Sequence, residues 1–359
     1  MIGPLADLVE RNEVVVCCGT GGVGKTTTAA ALALAGARAG RRAVVVTIDP
    51  AKRLADALDL DALGNVPHEI EGPWPGRLAA MMLDTKTTFD DLVSRYSPTP
   101  EQARRIIDNT FYRNISTTLS GTQDYMAVEK LIELHDSGDW DLVVVDTPPT
   151  RDALAFLEAP RLLARLLDNT IFRLVTAPGR GMMRAVNTAA QTVLRQLSRV
   201  VGASVVDDAV AFFQAFDGMQ DGFRERADRT LTLLGDERTA FALVASSRSD
   251  TLAEARYFLK RVEAAGLDID AVVINRLLPS FATGVDEANR LAETLAGSEL
   301  GGPARALADI KALGEGDDER VAALTAMMPD AIVARVPLMH RDIHDLDGLT
   351  EVAEILTRS

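Results

Sequence analysis

The chain has 359 residues, 47% of them hydrophobic, which can fill a sizeable core and excludes a disordered chain. Its 38 Lys and Arg against 52 Asp and Glu leave a net charge of −14, which repels phosphate backbones and argues against a nucleic-acid partner. The opening "MIGPLADLVERNEVVV" has neither the basic start nor the apolar run of a signal peptide, and no stretch approaches ~18 apolar residues, so a cytoplasmic location is expected.

In chain order, a short helix over 5–10 leads into "EVVVCC", whose unbroken Val run predicts a fully buried parallel strand. A glycine-rich loop follows, then "TTTAAALALAGARAG", an Ala/Leu-rich helix ending at Gly40, then a second buried strand in "RAVVVTID". Further strands are predicted over 77–84, 141–147, 240–247, 271–277 and 331–338, with helical patterns between most of them. Right-handed crossovers between such strands predict an α/β fold, a doubly wound and mainly parallel sheet with helices on both faces. Two segments, about 87–137 and 160–235, are too long for simple crossovers and show helical spacing, as in Val205, Ala209, Phe212, Phe216 and Met219. The expectation is one domain over 1–359 carrying a helical subdomain made from these two inserts. Their apolar faces would line a groove for a hydrophobic client or form the subdomain's own core; both readings stay open.

Adjacent Cys17 and Cys18 point to opposite faces of the first strand and read as packed core thiols. His340 and His344 would share a helix face but have no clear third ligand, so they read as surface residues.

The chemistry lies in "GTGGVGKTTT". It satisfies G-x-x-x-x-G-K-[ST] from Gly19 to Thr26, between a strand and a helix as the motif requires. Gly19, Gly21, Gly22 and Gly24 let the backbone N–H groups of the loop, those of Thr20 and Val23 among them, turn inward around phosphates, and the helix adds its positive end. Lys25 would reach the β- and γ-phosphates, the Thr26 hydroxyl would ligate Mg²⁺, and Thr27 would lie near the α-phosphate. ATP and Mg²⁺ are therefore the expected substrate and cofactor. Asp146 ends the apolar strand "DLVVVD" and is placed to hold Mg²⁺ directly or through water. Asp49, in "TIDPAKRLADAL", would orient an attacking water, with helix capping as its alternative reading.

"GTGGVGKTT", "TIDPAKRLADAL" and "DTPPTRDALAFLEAP" together resemble the deviant P-loop and the two switches of the arsenite-pump and tail-anchored-protein-targeting ATPases. That family is related to the cell-division ATPase MinD and to nitrogenase iron protein. The similarity extends to "VVINRLLP" and "RVPLMHRDIHDLDGL" and is closest to an actinobacterial branch of anion-transporting ATPases. It implies an ATP-hydrolysing dimeric switch with Asp49 and Lys25 in catalysis, Thr26 and Asp146 at the metal, and adenine held by Asn275 and the loop at Pro337 and Leu338. In this family the loop reads GKGGVGKT, and its first lysine reaches the phosphates of the opposite subunit. Here that place holds Thr20, short and neutral. A heterodimer with a related lysine-bearing subunit is the expected partner arrangement. The alternatives are a homodimer using Arg53 or Arg151, an ATP-binding regulatory subunit with little hydrolysis, and the energising subunit of an anion pump with a membrane partner. The interface CxxC pair of the eukaryotic-type members and a metalloid-binding cysteine set are both lacking, so neither interface zinc nor metalloid triggering is expected.

Overall fold

A computed structural model describes residues 5–49, 53–113, 122–148, 219–278 and 284–357, together with Asp208, Ala211, Phe212 and Ala215. In chain order the first elements are α1 (Ala6–Arg11), β1 (Val14–Gly19), α2 (Lys25–Arg38), β2 (Arg42–Thr47), α3 (Arg53–Ala57), β3 (His68–Ile70) and β4 (Arg77–Met82). There follow α4 (Thr85–Tyr96), α5 (Pro100–Ile107), α6 (Thr122–Asp136) and β5 (Leu142–Asp146). After the second insert come α7 (Gln220–Leu234), β6 (Thr239–Ser246), α8 (Ser249–Ala264), β7 (Ala271–Leu277), α9 (Val285–Thr294), α10 (Gly301–Thr325), β8 (Ile332–Pro337) and α11 (Leu346–Thr357).

The eight strands form one sheet in the order β3-β4-β2-β5-β1-β6-β7-β8, and every neighbouring pair is parallel except β3 with β4. This is the doubly wound, mainly parallel sheet that the sequence predicts. Only β3 was not foreseen: three residues of a polar-rich edge are too few to show a strand period. Strands β1, β5 and β6 are buried along their whole length, as the β-branched runs require of a sheet covered on both faces.

Helix α2 explains the Ala-rich stretch after the loop. Its residues from Thr28 to Ala37 are buried on all sides, and small side chains let it lie close to the strands. A Cβ on Gly36 would come within 2.6 Å of a Leu142 methyl, so the approach leaves room only for hydrogen. At the opposite end of the strands the chain is tied by charge: the Arg42 N–H and guanidinium both donate to the Asp141 carboxylate, and Arg41 donates to the carbonyls of Asn12 and Asp141.

The chain divides into two compact units. One comprises Met1–Met82, Leu134–Leu154 and Glu237–Ser359 and holds the sheet; the other comprises Leu83–Glu133 and Ala155–Asp236. Within the described part of the second, Tyr112 is fully buried, its ring stacks with Phe212 and tilts against Phe89, and its hydroxyl donates to Asp90 at 2.7 Å. Glu129, also buried, accepts from Arg226 at 2.7 Å and from the Tyr125 hydroxyl. Of the apolar positions in the second insert, Phe212 and Met219 are buried; Val205, Ala209 and Phe216, and most of 160–235, lie outside the described residues. Among the described residues no helix is long and apolar enough to cross a membrane.

Hydrogen bonds from Arg42 hold the Asp141 carboxyl at about 2, below its ordinary 3.8. A carboxyl with a depressed folded-state value stabilises above pH 3.8 and loses that contribution as pH falls towards 2. Asp141→Asn is therefore expected to lower the urea midpoint at neutral pH and to flatten its acid limb, so that variant and wild type converge as pH falls towards 2.

Candidate functional site

The described residues that the sequence singles out for phosphate chemistry gather at the carboxyl ends of the central strands and in the first turn of α2. Gly19 ends β1 at φ +153°, and a Cβ there would lie 2.2 Å from the Val244 carbonyl oxygen, so the loop leaves the sheet through a gap only glycine fits. Gly22 and Gly24 are left-handed at φ +78° and +94°, and Gly24 precedes the first turn of α2 with no side chain capping it. The first-turn N–H groups of α2 are thereby left for a ligand.

Lys25 opens α2 and is only 7% exposed; its ammonium donates to the Thr20 carbonyl at 3.0 Å. Burial pulls its pKa down, while the charges of Asp146, Cys18 and Asp49 pull it back up. On the next strand, register places Asp146 beside both Cys17 and Thr47. Thr26 and Thr47 both donate to the same Asp146 oxygen, Oδ2, at 2.7 and 2.8 Å. The other oxygen, Oδ1, is buried with no hydrogen-bond partner. Burial raises the pKa of Asp146, against the two hydroxyl bonds and Lys25, which lower it. A buried carboxylate oxygen with no partner, next to a threonine hydroxyl, is the donor set a hard divalent cation takes, so these residues fit Mg²⁺.

Asp49 lies just past β2, with its carboxylate 3.5 Å from the Arg53 guanidinium. Pro50 and Arg151 lie outside the described residues. Thr20 is 2% exposed and its hydroxyl is buried with no partner, so the position that carries the trans lysine in the resembled family faces inward here. Thr27 is half-buried and lines a cleft of about 240 Å³ with Gly24, Asn275, Arg276, Pro337 and Leu338, which brings the three expected adenine residues to one place beside the loop. The Asn275 amide is engaged within the chain, donating to the Val23 carbonyl at 2.8 Å and accepting from the Arg276 N–H. A larger cavity of about 670 Å³ sits at the other end of the strands; its Asp268, Asp270 and Asp330 make it unsuited to phosphates.

Two neighbours escape the sequence reading. Thr47 is identified by its register beside Asp146, and Arg276 by a guanidinium bond to the Gly22 carbonyl at 3.1 Å. His340 and His344, read as surface residues, are both exposed in the irregular segment between β8 and α11; among the described residues no group of three or more His, Cys, Asp or Glu could hold a metal ion. Cys17 and Cys18 are buried free thiols, and burial pushes Cys18 up to about 12.

The family model of anion-transporting ATPases matches residues 12–293, from before β1 to within α9. The chain belongs to this family. It is an ATPase by that membership. Similar proteins carry the same kind of name. An "ATPase GET3" of Malassezia globosa is 24% identical over 74% of this chain and 72% of its own length. An "ATPase get3" of Schizosaccharomyces pombe is 23% identical over 77% of each, and an "ATPase ASNA1 homolog 1" of Paramecium tetraurelia is 30% identical over 43% of this chain and 45% of its own.

Gly24→Ala would force a left-handed Cβ to within 2.2 Å of the Asn275 amide nitrogen, whereas at Gly22 only the backbone penalty applies, with no atom within 4 Å. Gly22→Ala is expected to lower stability by about 1 kcal/mol and Gly24→Ala by about 2–3 kcal/mol in urea unfolding.

Proposed function

We propose that the protein hydrolyses Mg-ATP as one member of a pair of ATPase subunits, with the phosphates held in the 19–27 loop and the adenine in the cleft at Asn275, Pro337 and Leu338. The observation that carries the reading is the Asp146 carboxylate: two threonine hydroxyls on one oxygen, the other bare, beside a buried lysine in a glycine loop. Mg²⁺ bound there would supply positive charge against the phosphates. Thr26 and Asp146 would hold it. Lys25 would leave the Thr20 carbonyl for the β- and γ-phosphate oxygens, whose charge would oppose the lowering of its pKa by burial. Asp49 would accept a hydrogen bond from a water aligned on the γ-phosphorus. The new bond from that water oxygen to phosphorus forms as the bridging bond to ADP breaks, releasing ADP and phosphate.

The inward-facing Thr20 supports a division of labour: this subunit offers a complete cis half-site and no lysine for a neighbour. A cation delivered from a second, lysine-bearing subunit would act like an arginine finger, worth ~10³–10⁵ in rate. The same feature favours a second reading, in which the subunit binds ATP and hydrolyses little. Both place the protein in the cytoplasm as a dimer.

Turnover of Mg-ATP by the purified protein, followed across protein concentration with binding measured in parallel, tests these readings. ATP is expected to bind, with turnover that is slow in the isolated protein and lost in Lys25→Ala; Asp49→Asn is expected to lower turnover ~10²-fold or more with ATP affinity retained. Fast turnover by a symmetric homodimer would contradict the division of labour. Failure of the wild type to bind ATP would contradict the site.

A further inference from the structure

Arg276 is not explained by anything above. It is one of two non-glycine residues with positive φ among the described residues, at +60°, a conformation that carries a penalty for any side chain with a Cβ. The pairing of β7 with β8 shifts register between Ile274 and Leu277, so the unusual backbone sits in a bulge. A bulge of this kind re-aims a side chain, and here the guanidinium reaches across 254 positions of sequence to donate to the Gly22 carbonyl at 3.1 Å. Its neighbour Asn275 donates to the next carbonyl, Val23, at 2.8 Å, and the Asn275 carbonyl oxygen in turn accepts the Arg276 N–H at 2.8 Å. Two consecutive residues thus hold two consecutive loop carbonyls and each other.

We infer that Arg276 is a positioning residue for the phosphate loop, acting with Asn275 as a clamp that shapes the loop before nucleotide arrives. The reason is the geometry of the peptide unit. In a planar trans peptide the N–H points opposite to the C=O, so drawing the carbonyls of Gly22 and Val23 towards β7 turns the N–H groups of Val23 and Gly24 the other way. Lys25 does the same for the preceding stretch by holding the Thr20 carbonyl, which orients the Gly21 N–H. A loop of four glycines has many conformations to lose, and fixing them in the free protein spares that loss on binding. The inference rests on the reading that this loop receives the phosphates of ATP. It explains why an arginine occupies a position that suits glycine: the guanidinium bond to the loop offsets part of the backbone penalty.

Arg276→Gly is the informative variant, because glycine relaxes the backbone while removing the guanidinium; Arg276→Lys keeps a cationic donor on a flexible stem. Two readouts are compared in full-length protein: amide hydrogen exchange over 19–28 without nucleotide, and equilibrium affinity and steady-state KM for Mg-ATP. Arg276→Gly is expected to speed exchange in the loop and to weaken ATP binding and raise KM about tenfold, with kcat nearly unchanged and the thermal midpoint unchanged or raised. Arg276→Lys is expected to restore most of both. Unchanged loop exchange in Arg276→Gly would overturn the clamp, as would a loss of binding that tracks a fall in thermal midpoint and is not rescued by lysine. Faster exchange in a protein whose wild type binds no ATP would leave the clamp standing and overturn the ATPase site instead.

Discussion

A lysine ammonium held 7% exposed, with a single backbone carbonyl as its hydrogen-bond partner and no ion pair among the described residues, is the constraint from which the site follows. Burying such a cation is unfavourable unless something anionic completes its surroundings. Asp146 and Asp49 lie near enough to favour the charge but neither contacts it. A phosphate chain would give the Lys25 ammonium acceptors beyond the Thr20 carbonyl. The bare Oδ1 of Asp146 is the complementary deficit, a buried anion short of a cation. A nucleotide carrying a divalent metal would satisfy both at once.

That arrangement depends on parts of the molecule with no polar chemistry. The Val runs of β1, β2 and β5 fix a register that puts Thr47, Cys17 and Asp146 side by side. The small side chains of α2 bring its first turn down onto the sheet, which sets Thr26 within 2.7 Å of the carboxylate. Strands β7 and β8 then supply the wall of the neighbouring cleft. Sheet, helix and loop are thus one mechanical unit, and the loop's glycines are held by contacts rather than left free.

How much of this was legible in the sequence depends on the range over which each feature is encoded. The loop is a contiguous pattern from Gly19 to Thr26, and Asp146 closes an apolar strand, so both are readable from local order alone. The mainly parallel sheet is legible because buried strands write themselves as unbroken β-branched runs. Thr47 and Arg276 are not, because their partners lie 99 and 254 positions away and are chosen by strand register and a bulge. The inward position of Thr20 was equally hidden, since sequence gives its shortness and neutrality but not the direction it faces. Edge strand β3 failed for a simpler reason: three residues carry no period.

The most direct test is a structure of the protein with Mg²⁺ and a non-hydrolysable ATP analogue. The expected result has the β- and γ-phosphates inside the 19–26 loop, Lys25 moved from the Thr20 carbonyl onto phosphate oxygens, the metal at Thr26 on the Asp146 side, and the base beside Pro337 and Leu338. Nucleotide bound elsewhere, or bound with Lys25 still on Thr20 and Asp146 Oδ1 still bare, would contradict the assignment of this sheet edge as the catalytic centre.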